Sequence, residues 1–238
     1  MKLEHVWRSA VYEREMASDI PRVAHPTARD VHVWRIELLG DSDRHVASLS
    51  PGEHTRLERL RGERRERFAI SHGAVRQVLG AYLGCAPADV PLESPDGQPP
   101  TMAGLELSLT HCGQLALLAV AITPVGVDVE ATSNVAADDL AELAQATLTP
   151  AEMRQFRVTP PEDQARAWLR SWVRKEAVLK ARGQGLGNRS LCELDVSVDR
   201  VDGLTLVDLD LGPNHLAAAA ITPPAVRVTL KDWIDKSR

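Results

Sequence analysis

Hydrophobic and polar residues alternate in several short stretches of the chain, and this two-residue period predicts β-strands with one buried face. The stretches are residues 31–38, 105–110, 125–130, 191–198 and 204–211. Residues 115–122 form a nearly continuous apolar run of similar length, which also indicates a strand. The chain should therefore contain several short strands separated by turns.

A helical period of three to four residues begins after residue 50. Ser50, Pro51 and Glu53 stand in the order of an N-cap, a first-turn proline and a capping-box acid. The apolar residues that follow at helical spacing are Phe68, Val75, Leu79 and Tyr82. We expect a helical region that Gly62 interrupts and that ends near Gly84.

A second helix is predicted from Thr159 to Arg182. Thr159, Pro160 and Glu162 repeat the N-cap order, and Gly183 can take the left-handed conformation that ends a helix. The helix would contain an unusual stripe, because four of its residues follow one another at four-residue steps. They are Trp168, Trp172, Glu176 and Lys180.

This stripe mixes two large aromatic side chains with a carboxylate and an ammonium group. If the tryptophans are buried, the charged pair lies beside the core, where a charge is costly unless something binds it. The alternative is a core stripe next to a solvated Glu–Lys bridge, which is worth about 0.3–0.5 kcal/mol.

Two further carboxylates share one face of the strand predicted over residues 125–130. Asp128 and Glu130 point away from the three valines of that strand and lie about 6–7 Å apart at the usual rise per residue. They repel each other unless they are solvated or bridged by a cation. The alternative is an exposed polar face of an edge strand.

The first helical region is rich in arginine and contains four acids. Its arginines are Arg56, Arg59, Arg61, Arg64, Arg65 and Arg67. Two interpretations stay open, a solvated mixed-charge surface and a local anion-binding patch.

A short repeat divides the chain. The sequence A-V-A-I-T-P at residues 119–124 recurs as A-A-A-I-T-P at residues 218–223, each time before an alternating valine stretch. Two similar halves follow, which we place at residues 31–123 and 124–238, after an N-terminal extension over residues 1–30. The order of the predicted elements indicates an α+β fold, with helices on one side of antiparallel sheets.

Composition narrows the class of protein. The chain has 238 residues, 44% of them hydrophobic, and a formal net charge of −5, which argues against a general nucleic-acid binder. Its cysteines, Cys85, Cys112 and Cys192, are odd in number and lack metal-ligand spacing, so a reducing compartment is expected. No stretch has the pattern of a signal peptide or a membrane span, and we therefore expect a cytoplasmic protein.

The acids together suggest one hard-cation site. Asp128, Glu130 and Glu176 offer the oxygen ligands that Mg²⁺ prefers. His111, at the end of a predicted strand, and Lys180 supply groups that can meet a phosphate. These residue types predict a Mg²⁺-dependent phosphoryl-type transferase or hydrolase, and they leave its substrate open.

Two motifs resemble a known family. They are G-V-D-V-E at residues 126–130 and W-x-x-x-E-x-x-x-K-x-x-G-x-G beginning at Trp172, with T-H-C-G upstream at residues 110–113. In this order they resemble the signature motifs of the Sfp-type 4′-phosphopantetheinyl transferases. The resemblance covers residues 31 to about 230.

The resemblance implies an activity and partners. Members move the phosphopantetheine arm of coenzyme A onto a serine of an apo acyl or peptidyl carrier protein and release adenosine 3′,5′-bisphosphate. They serve polyketide, nonribosomal peptide or fatty-acid synthesis, and their fold has two pseudo-symmetric α+β halves with the active site at the interface. A monomer that binds neither nucleic acid nor membrane is expected.

The resemblance also implies roles for particular residues. Asp128, Glu130 and Glu176 would hold Mg²⁺, and Glu176 would be the base toward the carrier serine. Lys180 would neutralise the departing phosphate. Further contacts to the phosphates of coenzyme A would come from Thr110, His111, Arg61, Arg64 and Arg65, the last three at the adenosine 3′-phosphate.

The sequence departs from the family at two positions. Thr110 stands where members often have serine, which keeps a hydroxyl group. Gln98 stands where many members have lysine in G-K-P, which removes one cation from the phosphate pocket. Affinity for coenzyme A would then be lower unless an arginine compensates.

The carrier surface is expected on the segment from Ala131 to Phe156. Its apolar residues Val135, Leu140, Leu143, Leu148 and Met153 would make the contacts, unless they are simply core. Two other functions stay open for the chain, a nucleotide hydrolase and a non-catalytic module that binds coenzyme A or a carrier. All three acids and Lys180 are present, which weighs against a degenerate site.

Overall fold

The computed structural model describes residues 11–12, 23–92, 102–135, 139–184, 191–225 and 227–233. Its strands are β1 (Val11–Tyr12), β2 (Asp30–Glu37), β3 (Glu106–Cys112), β4 (Leu115–Ala121), β5 (Val125–Ala131), β6 (Arg200–Val201), β7 (Leu204–Leu209), β8 (His215–Ile221) and β9 (Arg227–Trp233). Its α-helices are α1 (Asp43–Val46), α2 (Pro51–Arg59), α3 (Gly62–Leu83), α4 (Leu140–Thr147), α5 (Pro150–Val158) and α6 (Pro161–Ala181).

The strands form two sheets that pack against each other. The first has the order β1-β9-β2-β4-β3 and the second β5-β8-β7-β6. Their facing sides share one apolar core, to which residues such as Val33, Leu117, Val127 and Ala219 contribute. Helix α3 covers the outer side of the first sheet and α6 that of the second. The fold is α+β, as predicted.

The two halves repeat the same elements at a constant distance along the chain. Helices α2 and α5 begin 99 residues apart (150 − 51), and α3 and α6 begin at the same offset (161 − 62). Three glycines with positive φ recur at that offset as well. The pairs are Gly84 and Gly183, Gly104 and Gly203, and Gly113 and Gly212. The short repeat at residues 119–124 and 218–223 therefore belongs to a longer duplication.

The last strand ties the two halves together. Strand β9 lies at the end of the second half in the chain but pairs in parallel with β2 of the first sheet, and β1 pairs with β9. The division at residue 124 stays a prediction, and most of the proposed extension over residues 1–30 lies outside the described residues.

The helix ends show which sequence signals work. Ser50 caps α2 in a complete capping box with Glu53, as predicted, and the helical region breaks at Leu60 and Arg61 before Gly62. Helix α6 ends at Ala181, and Gly183, the residue after its C-cap, has the predicted left-handed φ, at 62°. The amides of Gly183 and Gln184 donate to the carbonyls of Lys180 and Leu179, the pairing of a Schellman motif.

The capping box predicted at Thr159 is wrong. The box lies ten residues earlier, where Thr149 caps α5 together with Glu152. Thr159 instead follows the end of α5, and its hydroxyl donates to the carbonyl of Gln155 at 3.0 Å. With its hydroxyl bonded backwards to α5, Thr159 does not cap α6, which begins at Pro161 without a side-chain cap.

The strand predicted over residues 191–198 is also wrong. The structure has a short 3₁₀ turn at Leu191–Glu193 and no strand before Arg200 in this part of the described chain. The carbonyls of Leu191 and Leu194 bond to the Lys175 ammonium group instead of to a neighbouring strand. Alternation at Leu194 and Val196 reflects their burial beneath α6. None of the described helices is both long enough and apolar enough to cross a membrane.

Candidate active site

The two sheets meet along a seam between the edge strands β3 and β5. Side chains of β3 bond there to β5. Ser108 Oγ accepts a hydrogen bond from the Val127 amide at 3.0 Å, and Cys112 Sγ accepts one from the Ala131 amide at 3.2 Å. Between them, Thr110 donates to Asp128 Oδ1 at 2.9 Å. We call this contact between β3 and β5 the seam; it includes Ser108, Thr110, Cys112 and Asp128.

Helix α6 lies directly on β5 because Gly126 has no side chain. A Cβ atom at Gly126 would stand 1.9 Å from the Ala177 carbonyl oxygen and 2.5 Å from the Ala181 nitrogen. This close approach brings Lys180 Nζ to 2.6 Å from Asp128 Oδ1. The two sequence motifs are therefore in direct contact, although about fifty residues separate them.

Asp128 is buried and Glu176 half-buried at this contact, and both are incompletely paired. Asp128 is 4% exposed. Among the residues that the structure describes, neither Asp128 Oδ2 nor Glu176 Oε1 has a hydrogen-bond partner, and both atoms are buried. Glu130 Oε2 accepts from Asn134 at 3.0 Å and from Cys112 at 3.5 Å.

Burial raises the pKa of Asp128, and the ammonium group of Lys180 opposes that rise. Burial also raises the pKa of Glu176, and the negative charges of Asp128 and Glu130 raise it further. The three predicted metal ligands therefore lie close enough to repel one another. Both unpaired oxygens and this repulsion make the ionised acids costly, and a bound cation would relieve that cost.

No group of three histidine, cysteine, aspartate or glutamate side chains forms a ready metal cage within the described ranges. The donor chemistry nevertheless fits a hard cation, since Mg²⁺ typically takes one or two protein carboxylates and completes its shell with water and phosphate oxygens. The residues that could hold such an ion are Asp128, Glu176 and Glu130.

Two other predicted contacts to coenzyme A, Thr110 and His111, lie on opposite faces of β3. Thr110 is buried with its hydroxyl committed to Asp128, whereas His111 is exposed on the opposite face of β3. Their roles at the phosphates stay predictions. Gln98 lies outside the described residues.

The arginines stand at the start of α3. The Arg61 guanidinium donates to the carbonyls of Leu60, at 2.8 Å, and Glu58. Arg65 lies 3.5 Å from Asp43, and Arg64 is exposed. The partners of Arg61 and Arg65 are thus local, and a contact of these arginines with the adenosine 3′-phosphate stays a prediction.

The apolar residues proposed as a carrier surface belong in part to the core. Leu140 and Leu148 are buried against Trp168 and Leu169, since α4 needs an apolar face to pack on α6. Val135, Leu143 and Met153 are partly buried around them. The two buried leucines, Leu140 and Leu148, therefore cannot contact a carrier protein as predicted. A carrier contact of the other three residues stays a prediction. A cleft of about 560 Å³ lies nearby, lined among others by Ala144, Met153, Phe156 and Cys192.

Sequence reasoning missed several residues of the site. Ser108 lies two residues before Thr110 and Cys112 two residues after it, so the strand period could have placed them on the same face. Asn134 gave no such signal. Buried Lys175 lies next to Glu176, and its counterpart at the 99-residue offset is the equally buried Arg76.

Comparisons with known proteins agree with this geometry. A family model for the 4′-phosphopantetheinyl transferase superfamily matches residues 124–222. The chain is 30% identical to the 4′-phosphopantetheinyl transferase HetI of Nostoc sp. over 92% of its length and 94% of the relative. It is 28% identical to AcpT of Escherichia coli over 85% and 98%, and 24% identical to a 4′-phosphopantetheinyl transferase of Bacillus subtilis over 66% and 70%.

The matched region contains the acids of β5 and all of α6, which are the elements that meet at the seam. The likeness to HetI extends over nearly the whole of both chains and so includes the first half as well. The family motifs, the nearly full-length match to HetI and the contact between the two motifs all indicate the same family. The chain belongs to the 4′-phosphopantetheinyl transferase superfamily.

Proposed function

We propose that this protein transfers the 4′-phosphopantetheine arm of coenzyme A to a serine of an apo acyl or peptidyl carrier protein and releases adenosine 3′,5′-bisphosphate, with Mg²⁺ as cofactor. One observation carries the proposal: the carboxylates of Asp128 and Glu176 each keep one buried oxygen without a hydrogen-bond partner in the described part of the chain, and Lys180 bonds to Asp128. We further propose a role in polyketide, nonribosomal peptide or fatty-acid synthesis.

Asp128, Glu130 and Glu176 would hold the ion against the pyrophosphate of coenzyme A. Mg²⁺ supplies charge neutralisation at the phosphate oxygens when it is bound. In the reaction the serine oxygen forms a bond to the phosphorus next to pantetheine, and the bond from that phosphorus to the oxygen of the adenosine bisphosphate breaks. The serine proton goes to Glu176, directly or through water. Its raised pKa favours this role, because a base works best when its pKa approaches the operating pH.

Lys180 would bind a phosphate oxygen of coenzyme A and also stabilise the transition state. Its side chain is 30% exposed while it is bonded to Asp128, so the ammonium can also donate to a phosphate oxygen that enters the site. A cation at this point stabilises the negative charge that develops on the leaving bisphosphate.

The two halves of one chain supply both sides of the seam, which supports a monomer as the working unit. No disulfide joins Cys85, Cys112 and Cys192 in the described part of the chain, and we propose a reducing compartment such as the cytoplasm.

The transfer is tested by intact-mass spectrometry of apo carrier proteins incubated with the protein, coenzyme A and Mg²⁺. We expect the carrier to gain the mass of the phosphopantetheine arm and adenosine 3′,5′-bisphosphate to appear in equal amount. A carrier whose target serine is replaced by alanine should gain nothing. Bisphosphate released without any carrier would favour a nucleotide hydrolase, and binding without any product would favour a non-catalytic module.

Replacing Arg64 with alanine should reduce the preference for coenzyme A over 3′-dephospho-coenzyme A. A charge-assisted hydrogen bond is worth about 1.5–3 kcal/mol, or roughly a 10- to 100-fold change in affinity. The dephospho substrate lacks the group that Arg64 would hold and should change by less than about twofold. The measurement is the ratio of kcat/KM for the two substrates. Arg67→Ala is the control, because Arg67 is ion-paired with Glu63 on the same helix. An equal ratio in wild type and Arg64→Ala would refute the phosphate contact.

A further inference from the structure

A buried lysine lies next to the proposed base. Lys175 precedes Glu176 on α6 and is 1% exposed. Its ammonium group donates to the carbonyls of Thr147, Leu191 and Leu194, each at 2.8 Å. It also lies 2.6 Å from Glu152 Oε2, so a charged group in the interior has four partners. Because the ammonium group has these four hydrogen-bond and ion-pair partners, its charge can be buried.

Glu152 extends the same network to the backbone. Its Oε2 accepts from the Thr149 amide and its Oε1 from the Val196 amide, both at 2.8 Å. The pair therefore connects α6 with the end of α4, the start of α5, the turn at Leu191–Glu193 and the segment that leads to Val196. We call Glu152 and Lys175 the second-half pair.

The first half contains the same device at the 99-residue offset. Glu53 completes the capping box of α2, and its Oε2 lies 2.5 Å from Nε of Arg76, which is 1% exposed. Arg76 donates in turn to the carbonyls of Pro87, Val90 and Leu92. The carbonyl of Leu92 accepts from Arg76 and that of Leu191 accepts from Lys175, and these two leucines are themselves 99 residues apart (191 − 92). We call Glu53 and Arg76 the first-half pair.

The two pairs differ in what they stand beside. Residue 176, next to Lys175, is the half-buried glutamate of the candidate site, whereas residue 77, next to Arg76, is a glutamine. The first-half pair joins the first turn of α2 to the middle of α3. Arg61 lies in the connection between these two helices, and Arg64 lies in the first turn of α3. A buried ion pair is in general weak support for stability, because similar apolar replacements are often neutral. A role in holding site residues in place explains two such pairs at equivalent positions better than a role in stability does. The residues of a functional site must be held to within about half an ångström.

We propose that the duplicated ion pair serves two separate positioning tasks: the second-half pair, Glu152 and Lys175, positions Glu176, and the first-half pair, Glu53 and Arg76, positions the arginine-bearing start of α3. The proposal rests on the proposed function of both sites. On the side of the second sheet, the Gly126–Ala177 contact holds α6 against β5 and Lys175 holds its other side, with Glu176 between them. Loss of the pair removes one of these two supports.

The test compares two double variants that remove both charges at once and so leave no lone buried ion. They are Glu152→Gln/Lys175→Met and Glu53→Gln/Arg76→Met, each the other's matched control. Steady-state kinetics for coenzyme A and carrier are measured well below the Tm of every variant. For the second-half variant we expect kcat to fall by about 10- to 100-fold with KM for coenzyme A within about twofold, as found when a metal ligand loses its support. For the first-half variant we expect KM for coenzyme A to rise by about tenfold with kcat little changed.

Mg²⁺ affinity, measured by calorimetry with coenzyme A present, is a readout that does not need turnover. It should weaken in the second-half variant and stay the same in the first-half variant. If both variants only lower Tm and leave kcat, KM and Mg²⁺ affinity as in wild type, the pairs are structural and the inference is overturned. If either double variant does not fold, the isosteric Glu152→Gln and Glu53→Gln give the same comparison, with the same split expected at smaller size. A wild-type protein that neither transfers the arm nor binds Mg²⁺ overturns the proposed function and this inference together, whereas active wild type with two indistinguishable variants overturns the inference alone.

Discussion

Asp128→Asn and Glu176→Gln should each lower the rate of phosphopantetheine transfer by at least about a hundredfold. Each substitution keeps the volume of the side chain and removes a charge that would hold the metal and, at Glu176, the proposed base. Losing one preorganised electrostatic contact in an active site typically lowers kcat by about 10²–10³-fold. The measurement is kcat with saturating coenzyme A, carrier and Mg²⁺.

The same variants should remain folded, which separates a catalytic effect from loss of structure. Burial raises the pKa of both acids, so the folded state disfavours their ionised forms and neutral amides should be tolerated. We expect Tm without metal to be unchanged or higher for Glu176→Gln. The matched control is Glu162→Gln, an exposed acid in the first turn of the same helix. Near-normal turnover in either site variant at equal Mg²⁺ would contradict the three-carboxylate site.

Gly126→Ala should destabilise the protein by more than about 3 kcal/mol and abolish transfer. The new methyl group would meet backbone atoms of Ala177 and Ala181, which cannot move without displacing α6 as a whole. At about 2–4 °C per kcal/mol for a chain of this size, about 3 kcal/mol corresponds to roughly 6–12 °C, and Tm should fall by at least that much. Thermal unfolding followed by circular dichroism measures the change.

Gly52→Ala is the control for this substitution. Gly52 lies in α2, and a Cβ there would meet nothing within 4 Å. Alanine in a helix is favoured over glycine by about 0.5–1 kcal/mol, so this variant should be as stable as wild type or slightly more stable. If Gly126→Ala behaved like Gly52→Ala, α6 would not be seated on β5 as the structure has it.

Local signals in the sequence predicted much of the fold. Alternation placed β2, β3, β5 and β7, and the order Ser50–Pro51–Glu53 placed the start of α2. The four-residue spacing put Trp168 and Trp172 on one face, where they stack at 5.6 Å between ring centroids. These signals succeed because strand alternation and helix capping depend on neighbours within a few residues.

Other features depend on contacts that are distant in the sequence. Thr149 and Thr159 are both followed by proline and, three residues on, by an acid, and only the packing of α5 decides which of them caps a helix. Leu194 and Val196 alternate like a strand, but the bonds from Lys175 hold their segment in another conformation. Leu148 is buried because α4 packs on α6, a contact that no local pattern shows.

The candidate site could be foreseen as a set of residues but not as a geometry. The motifs named Asp128, Glu130, Glu176 and Lys180, and the structure adds that Gly126 allows α6 to approach β5 closely enough for Lys180 to bond Asp128. The seam side chain of Ser108 and the buried pair of Lys175 with Glu152 act through partners that lie about 20 residues away in the sequence. Spacing within a motif does not reveal such partners.

Anomalous diffraction from a crystal grown with coenzyme A and Mn²⁺ in place of Mg²⁺ tests the central claim most directly, because it locates the ion without relying on turnover. We expect one strong peak within bonding distance of Asp128 and Glu176 carboxylate oxygens, with Glu130 bound directly or through water and the pyrophosphate on the open side. No peak at the seam in the Glu176→Gln crystal, or a much weaker one, would agree with this assignment. A metal held by coenzyme A phosphates away from these acids, or bound elsewhere on the protein, would contradict it.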